Sequence, residues 1–192
     1  MLKCQKCGQE KPLNEMRKKS SSKTGYLTMC KVCQAKQRVE NGEYRREIVR
    51  RFAKASDQKV PLVTEKDLIA IAEEYPNCAY CDVKLTQDNR SYDHVYPTSV
   101  EYGGANIPDN LVCACRYCNS QKRNRSVHEF FLSSKKFTPA LYRKFVKKFT
   151  SRLIRREITD FEVEQMLEIF KAEAEIHKRD RNTESKQVKK IV

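Results

Sequence analysis

Apolar positions recur along the chain at helical spacing in several stretches and at strand spacing in two. Tyr44, Ile48 and Phe52 stand at i, i+4 and i+8 and predict one narrow stripe on a polar helix from residue 34 to about 56. Thr64 followed by Asp67 predicts a capped helix start, with Leu68, Ile71 and Ala72 as its buried face up to Tyr75-Pro76. Short apolar runs at 91–95 and 110–115 suit strands, and the basic segment after Cys118 suits a helix. Thr138-Pro139 reads as an N-cap with Pro at N1, leading a helix whose face is Leu141, Phe145, Phe149 and Leu153. Thr159 with Glu162 predicts a capping box for a last helix carrying Val163, Met166, Leu167, Phe170 and Ala174. Beyond about Asp180 the polar tail is expected to be disordered.

Composition changes this picture through the nine cysteines. Residues 1 to about 33 are too few to bury a core that folds unaided, yet they hold Cys4-x2-Cys7 and Cys30-x2-Cys33 around a Lys/Ser-rich stretch. Two chelating thiolate pairs are what a closed tetrahedral zinc site requires, and metal is the expected staple. Cys78-x2-Cys81 and Cys115-x2-Cys118 repeat the pattern around a longer insertion. Cys113 is left over. Two residues before Cys115 in a strand, it faces the same side and could compete as a ligand, but the x2 pair is favoured and Cys113 is read as a small buried hydrophobe. No apolar run approaches the roughly 18 residues of a membrane span, and the polar start from Met1 to Cys7 lacks a secretory apolar region. A reducing cytoplasm is therefore expected.

Charge points to a partner. Lys and Arg number 39 against 25 Asp and Glu, a net +14. The signs are segregated. No acid lies between Glu15 and Glu40 or between Glu129 and Glu157, where Lys135, Lys136, Arg143, Lys144, Lys147, Lys148, Arg152, Arg155 and Arg156 accumulate. A polyanion, first of all DNA, is the expected partner. Lys144, Lys147, Lys148, Arg152 and Arg155 could track phosphates from one helix face, and Lys122, Arg123 and Arg125 from another. Tyr92 is read as a packing residue, and His128 and His177 as structural or exposed.

Between the second set of cysteine pairs lie Asp93-His94 and Asn110, with Asn119 directly after Cys118. Adjacent strand residues point to opposite faces, so Asp93 and His94 converge only if the strand ends or bulges there. The run Cys78-Ala79-Tyr80-Cys81, DHVYPTS from Asp93, Gly103-Gly104, DNLVCAC from Asp109 and CNSQK from Cys118 resembles the HNH endonucleases, the ββα-metal or His-Me finger nucleases. The resemblance implies His94 as general base, Asp93 and Asn119 as ligands of a catalytic divalent ion, and Asn110 as the buttress of the loop carrying the base. Asn119 makes this an HNN variant, whose oxygen donor suits Mg²⁺, with Mn²⁺ as the alternative. The front block, KCQKCG with KPL and a second Cys pair, looks like the zinc units that precede HNH or related nuclease domains in phage proteins; tandem zinc modules also resemble certain rare-cutting HNH restriction enzymes.

The expected fold is α+β, built of small zinc-stapled modules: residues 1–56 a four-Cys unit plus basic helix, 57–130 the ββα-metal core with structural zinc, and 131–192 a basic helical region. The function the resemblance implies is metal-dependent hydrolysis of DNA phosphodiester bonds by an HNH endonuclease used in homing, restriction or phage DNA processing; the alternative is a zinc-dependent DNA-binding or regulatory protein in which the module is a relic without cleavage activity. Double-stranded DNA is the expected substrate and a monomer or homodimer the expected state.

Overall fold

The computed structural model describes residues 1–55, 62–99 and 102–188. Its contacts divide the chain into two compact units, Met1–Arg51 and Phe52–Val192.

In the first unit, β1 (Leu2–Lys3) and β2 (Glu10–Lys11) form a short antiparallel arm around the turn that carries Cys4 and Cys7. Gly8 closes that turn at φ +72°, a conformation glycine adopts without cost, and its N–H donates to Cys4 O at 2.8 Å. A bulged hairpin follows, β3 (Met16–Lys18) with β4 (Tyr26–Cys30), and α1 (Lys31–Glu40) begins directly after Cys30. Cys33 is thereby set in the first helical turn. Cys4, Met16 and Cys30 form a small buried cluster, with Leu2, Tyr26, Met29 and Cys33 packed on it. The single helix expected over 34–56 is instead two. Asn41-Gly42 breaks it, Gly42 lying at φ +72°, and α2 (Glu43–Ala55) carries the Tyr44, Ile48 and Phe52 stripe, Phe52 being the first residue of the second unit.

In the second unit, α3 (Glu65–Glu74) starts with the Thr64–Asp67 capping box and buries Leu68 and Ile71. A turn bridged by Asn77 and Lys84 carries Cys78 and Cys81. Strands β5 (Arg90–His94) and β6 (Leu111–Cys115) then pair antiparallel, with Asp93 opposite Val112 and His94 opposite Leu111. All five β6 residues are buried, which fits their near-continuous apolar run. Cys115 caps α4 (Arg116–Lys122), its sulfur accepting from Cys118 N at 3.4 Å. The remaining helices are α5 (Val127–Ser133), α6 (Pro139–Ile154) and α7 (Asp160–Val188).

Aromatic rings tie these helices to the sheet region. Tyr80, from the cysteine turn, packs on Phe130, Phe137 and Phe145 at centroid distances of 5.3, 5.2 and 5.5 Å, and Phe170 of α7 meets Tyr96, Phe145 and Phe149. This cluster runs across the boundary expected at residue 130. The Thr159–Glu162 capping box is present, and Val163, Phe170 and Ala174 are buried. Disorder after Asp180 is corrected: α7 continues to Val188, consistent with its content of helix-forming Glu, Lys, Arg and Gln. Residues 189–192 lie outside the described residues. Among the described residues no helix is long and apolar enough to cross a membrane.

Candidate active site and metal centres

Two groups of four sulfurs form, Cys4 with Cys7, Cys30 and Cys33, and Cys78 with Cys81, Cys115 and Cys118, each set lying within 4.8 Å. A Zn–S bond of about 2.3 Å sets the edge of a tetrahedron at about 3.8 Å. Cys81 Sγ and Cys115 Sγ stand 3.8 Å apart. Backbone N–H groups point at the sulfurs, Cys30 N reaching Cys4 Sγ at 3.3 Å. The N–H donors of Cys30 and Cys7 hold the Cys4 thiol down at about 6. In the second group the Cys118 thiol donates to Cys78 and pulls it down to about 5, while Cys118 is itself pushed up. Thiols this close cannot all ionise without a cation among them, so both donor sets fit Zn²⁺. Cys113 is in neither set. It faces α3, donating to Ile71 O at 3.7 Å, and burial pushes its thiol up to about 12.

The second four-sulfur group joins the cysteine turn to the end of β6 and the first turn of α4, at one end of the β5–β6 hairpin. At the far end of β5, the strand stops at His94, and Asp93 and His94 both line a cavity of about 340 Å³ with Pro97, Thr98, Ser99, Arg123 and Asn124. Asp93 is buried and held by two donors on one oxygen: Tyr80 OH lies 2.5 Å from Oδ2, and Lys122 Nζ 3.3 Å. The same ammonium donates to His94 O at 2.6 Å. His94 Nε2 lies 2.7 Å from Asn106 Oδ1, and its ring centroid is 5.0 Å from that of Phe52. Burial lowers the His94 pKa, against the hydrogen bond to Asn106 and the charge of Asp93, which act to raise it.

Asn110 pins the loop after the strand. Its amide accepts from Tyr96 N at 2.8 Å and donates to Tyr96 O and Ala105 O at 2.8 and 2.9 Å, while its carbonyl accepts from Val95 N at 2.9 Å. Gly104 lies against the same loop, where a Cβ would come within 2.0 Å of Tyr96 O. Asn119 is half-buried in α4 and does not line the cavity with Asp93 and His94.

The basic residues divide into two groups. Lys122 is corrected: an ammonium with 0 % exposure, paired to Asp93, is no surface for phosphate. Arg152 donates to Leu111 O and Asp109 O, both at 2.8 Å, and Lys148 donates to Glu74 O and sits 4.1 Å from the Tyr75 ring centre, so both tie α6 to the core. Arg125 reaches Lys122 O and Ser133 Oγ, joining α4 to α5. Lys144 is exposed and Lys147 half-buried, and they pair with Asp82 and Asp160; Arg155 is exposed at the end of α6; Arg123 lines the cavity. Tyr92 OH donates to Leu68 O at 2.8 Å, and His128 meets Tyr142 OH at 3.2 Å, both packing roles.

Sequence reasoning missed Tyr80 and Lys122 as the holders of Asp93, although both lie inside quoted motifs. It also missed Asn106, whose loop offers no periodicity to read.

Residues 78–134 match the family model described as HNH endonuclease. No curated protein sequence matches the chain. Among solved structures, the crystal structure of the Type II-C Cas9 enzyme from Actinomyces naeslundii is similar at 16 % identity and a TM-score of 0.37, over 79 % of this chain and 15 % of that one. That likeness is too distant to bear on fold or activity. With the ββα arrangement and the family match over the same residues, the segment 78–134 is an HNH endonuclease-family domain.

Proposed function

We propose that the chain is a metal-dependent endonuclease hydrolysing phosphodiester bonds of double-stranded DNA. The observation that carries this reading is the placement of Asp93 and His94, neighbours in sequence, on the wall of one cavity at the end of β5. Neutral His94 takes a proton from a water that attacks phosphorus in line. Asp93 and Asn119 are the proposed ligands of one divalent ion, Mg²⁺ with Mn²⁺ as the alternative. Their oxygen donors suit such an ion, and both contacts that pin Asp93 fall on Oδ2. When bound, the ion supplies the positive charge that stabilises the developing phosphorane and the leaving 3′ oxygen. Arg123, on the same cavity, holds a phosphate oxygen.

Lys122 already balances the charge of Asp93. The protein alone therefore attracts a cation weakly, and a DNA phosphate completes the site. The two four-sulfur groups serve as structural zinc centres, and Lys144, Lys147 and Arg155 contribute phosphate contacts. A reducing cytoplasm, which keeps the thiols free for zinc, is the compartment that suits them.

The test is cleavage of supercoiled plasmid by wild type and His94→Ala, in Mg²⁺ and in EDTA. His94→Ala should keep zinc and DNA binding while cleavage falls by roughly 10²–10⁴-fold. A variant that cuts as fast as wild type removes His94 from the reaction. Binding without nicking by wild type makes the chain a zinc-dependent DNA-binding protein instead.

A further inference from the structure

His94 meets Asn106 through a contact that either nitrogen-bound proton could explain in isolation, since an imidazole nitrogen donates or accepts according to tautomer. The surroundings of Asn106 remove that freedom. Its Nδ2 lies 3.3 Å from Phe52 O. A carbonyl only accepts, so the amide NH₂ must face Phe52 and the amide oxygen must face the imidazole. The imidazole nitrogen 2.7 Å from that oxygen must then be the donor. The neutral ring therefore carries its proton on Nε2 and keeps its lone pair on Nδ1.

Two further features hold this arrangement. Asn106 is 8 % exposed, so water has little access to compete for its amide. The Phe52 ring lies 5.0 Å from the imidazole, tilted by 59°, and restricts rotation of the ring that the Asn106 bond has oriented. On the main-chain side, Lys122 donates to His94 O at 2.6 Å and fixes the residue from below.

We propose that Asn106 is a positioning residue that locks His94 in the Nε2–H tautomer and so makes Nδ1 the atom that accepts the proton from water. The inference rests on the endonuclease reading above for its second half only. In the reaction, Nδ1 gains the proton as the water oxygen forms its bond to phosphorus. The imidazolium that results keeps Nε2–H on the Asn106 oxygen, so the hydrogen bond survives the proton transfer and steadies the charged ring.

The tautomer is directly observable. The chain has three histidines, so long-range ¹H–¹⁵N spectra of ¹⁵N-histidine protein, recorded where imidazole is neutral, resolve each ring, and His94→Gln identifies its signals by their loss. Wild type should show His94 protonated at Nε2 with a bare Nδ1. Asn106→Leu, which removes the acceptor, should give a mixture of tautomers and lower plasmid cleavage at least about tenfold, part of the roughly 10²–10⁴-fold that a positioned general base supplies. Asn106→Asp gives up the donor to Phe52 O but keeps an acceptor oxygen for the imidazole, and should keep the Nε2–H tautomer and recover part of the cleavage lost in Asn106→Leu. A wild-type ring protonated at Nδ1, or an Asn106→Leu ring still wholly protonated at Nε2, overturns the proposal. Failure of the endonuclease reading is separate: it shows as wild-type protein that cuts no DNA with either Mg²⁺ or Mn²⁺, whichever tautomer the spectra record.

Discussion

A lysine without exposed surface needs its charge answered nearby, and Lys122 answers it with Asp93, itself 5 % exposed. The pair is held at a fixed position by the Tyr80 hydroxyl on the same carboxylate oxygen and by His94 O on the ammonium. Removing one charge strands the other. Lys122→Met should therefore cost about 3–5 kcal/mol in urea unfolding, far more than an exposed lysine would. The double variant Lys122→Met/Asp93→Leu should cost less than the sum of the two single changes, because neither charge is then left buried alone. Additive costs would mean that the two groups do not depend on each other. The motif spelling contained Asp93, Tyr80 and Lys122, but only the fold shows that they meet. Spacing along a chain says nothing about which side chain of a turn, a strand and a helix will share one oxygen.

Two short connections decide how the elements present the site. The first is the loop from Val95 to Asn110, closed by the Asn110 amide and by Gly104, whose N–H donates to Pro97 O at 3.0 Å. A Cβ on Gly104 would meet Tyr96 O at 2.0 Å and Pro97 O at 2.5 Å, both backbone atoms that cannot swing aside. Gly104→Ala should cost at least about 2 kcal/mol in thermal or urea unfolding. An unchanged midpoint would show that the loop relaxes freely. The second is the end of α4, where Arg123 lies at φ +54°, ψ −131°, a conformation that only glycine adopts readily. Arg123→Gly should raise stability by about 1 kcal/mol through relief of that strain, yet weaken plasmid cleavage because a cation leaves the cavity. A rise in both would remove Arg123 from phosphate binding. Caps were legible in sequence: Thr64 with Asp67, Thr138 with Pro139 and Thr159 with Glu162 all start helices. The break at Asn41-Gly42 was not, since the Tyr44, Ile48 and Phe52 stripe lies wholly after it.

At the scale of the molecule, the two units rest on different supports. Among the described residues unit one buries little beyond Cys4, Met16, Cys30 and Ile48, and the proposed zinc at its four sulfurs is expected to supply much of its folding free energy. Unit two adds the Tyr80, Phe130, Phe137, Phe145, Phe149 and Phe170 cluster to its four sulfurs. Zinc removal by a strong chelator should abolish amide protection in β1–β4 while α6 and α7 keep measurable protection, as read by hydrogen exchange. Equal loss everywhere would show that the aromatic cluster cannot stand without zinc. Sequence by itself determined the two cysteine sets, the helix caps, the strand pair and the HNH motif, because each depends on residues close in the chain or on ligand chemistry that tolerates few substitutes. Tertiary structure decided what the basic residues do. Lys122, Lys148 and Arg152 count alike toward the net +14, yet one is buried on a carboxylate and two tie α6 to neighbouring backbone. Charge is a property of the residue, but whether it faces phosphate or its own fold depends on which carbonyls and carboxylates the packing brings within reach. The same holds for the proton on His94, which is set by an amide whose orientation is fixed by a carbonyl 54 residues before it in the chain.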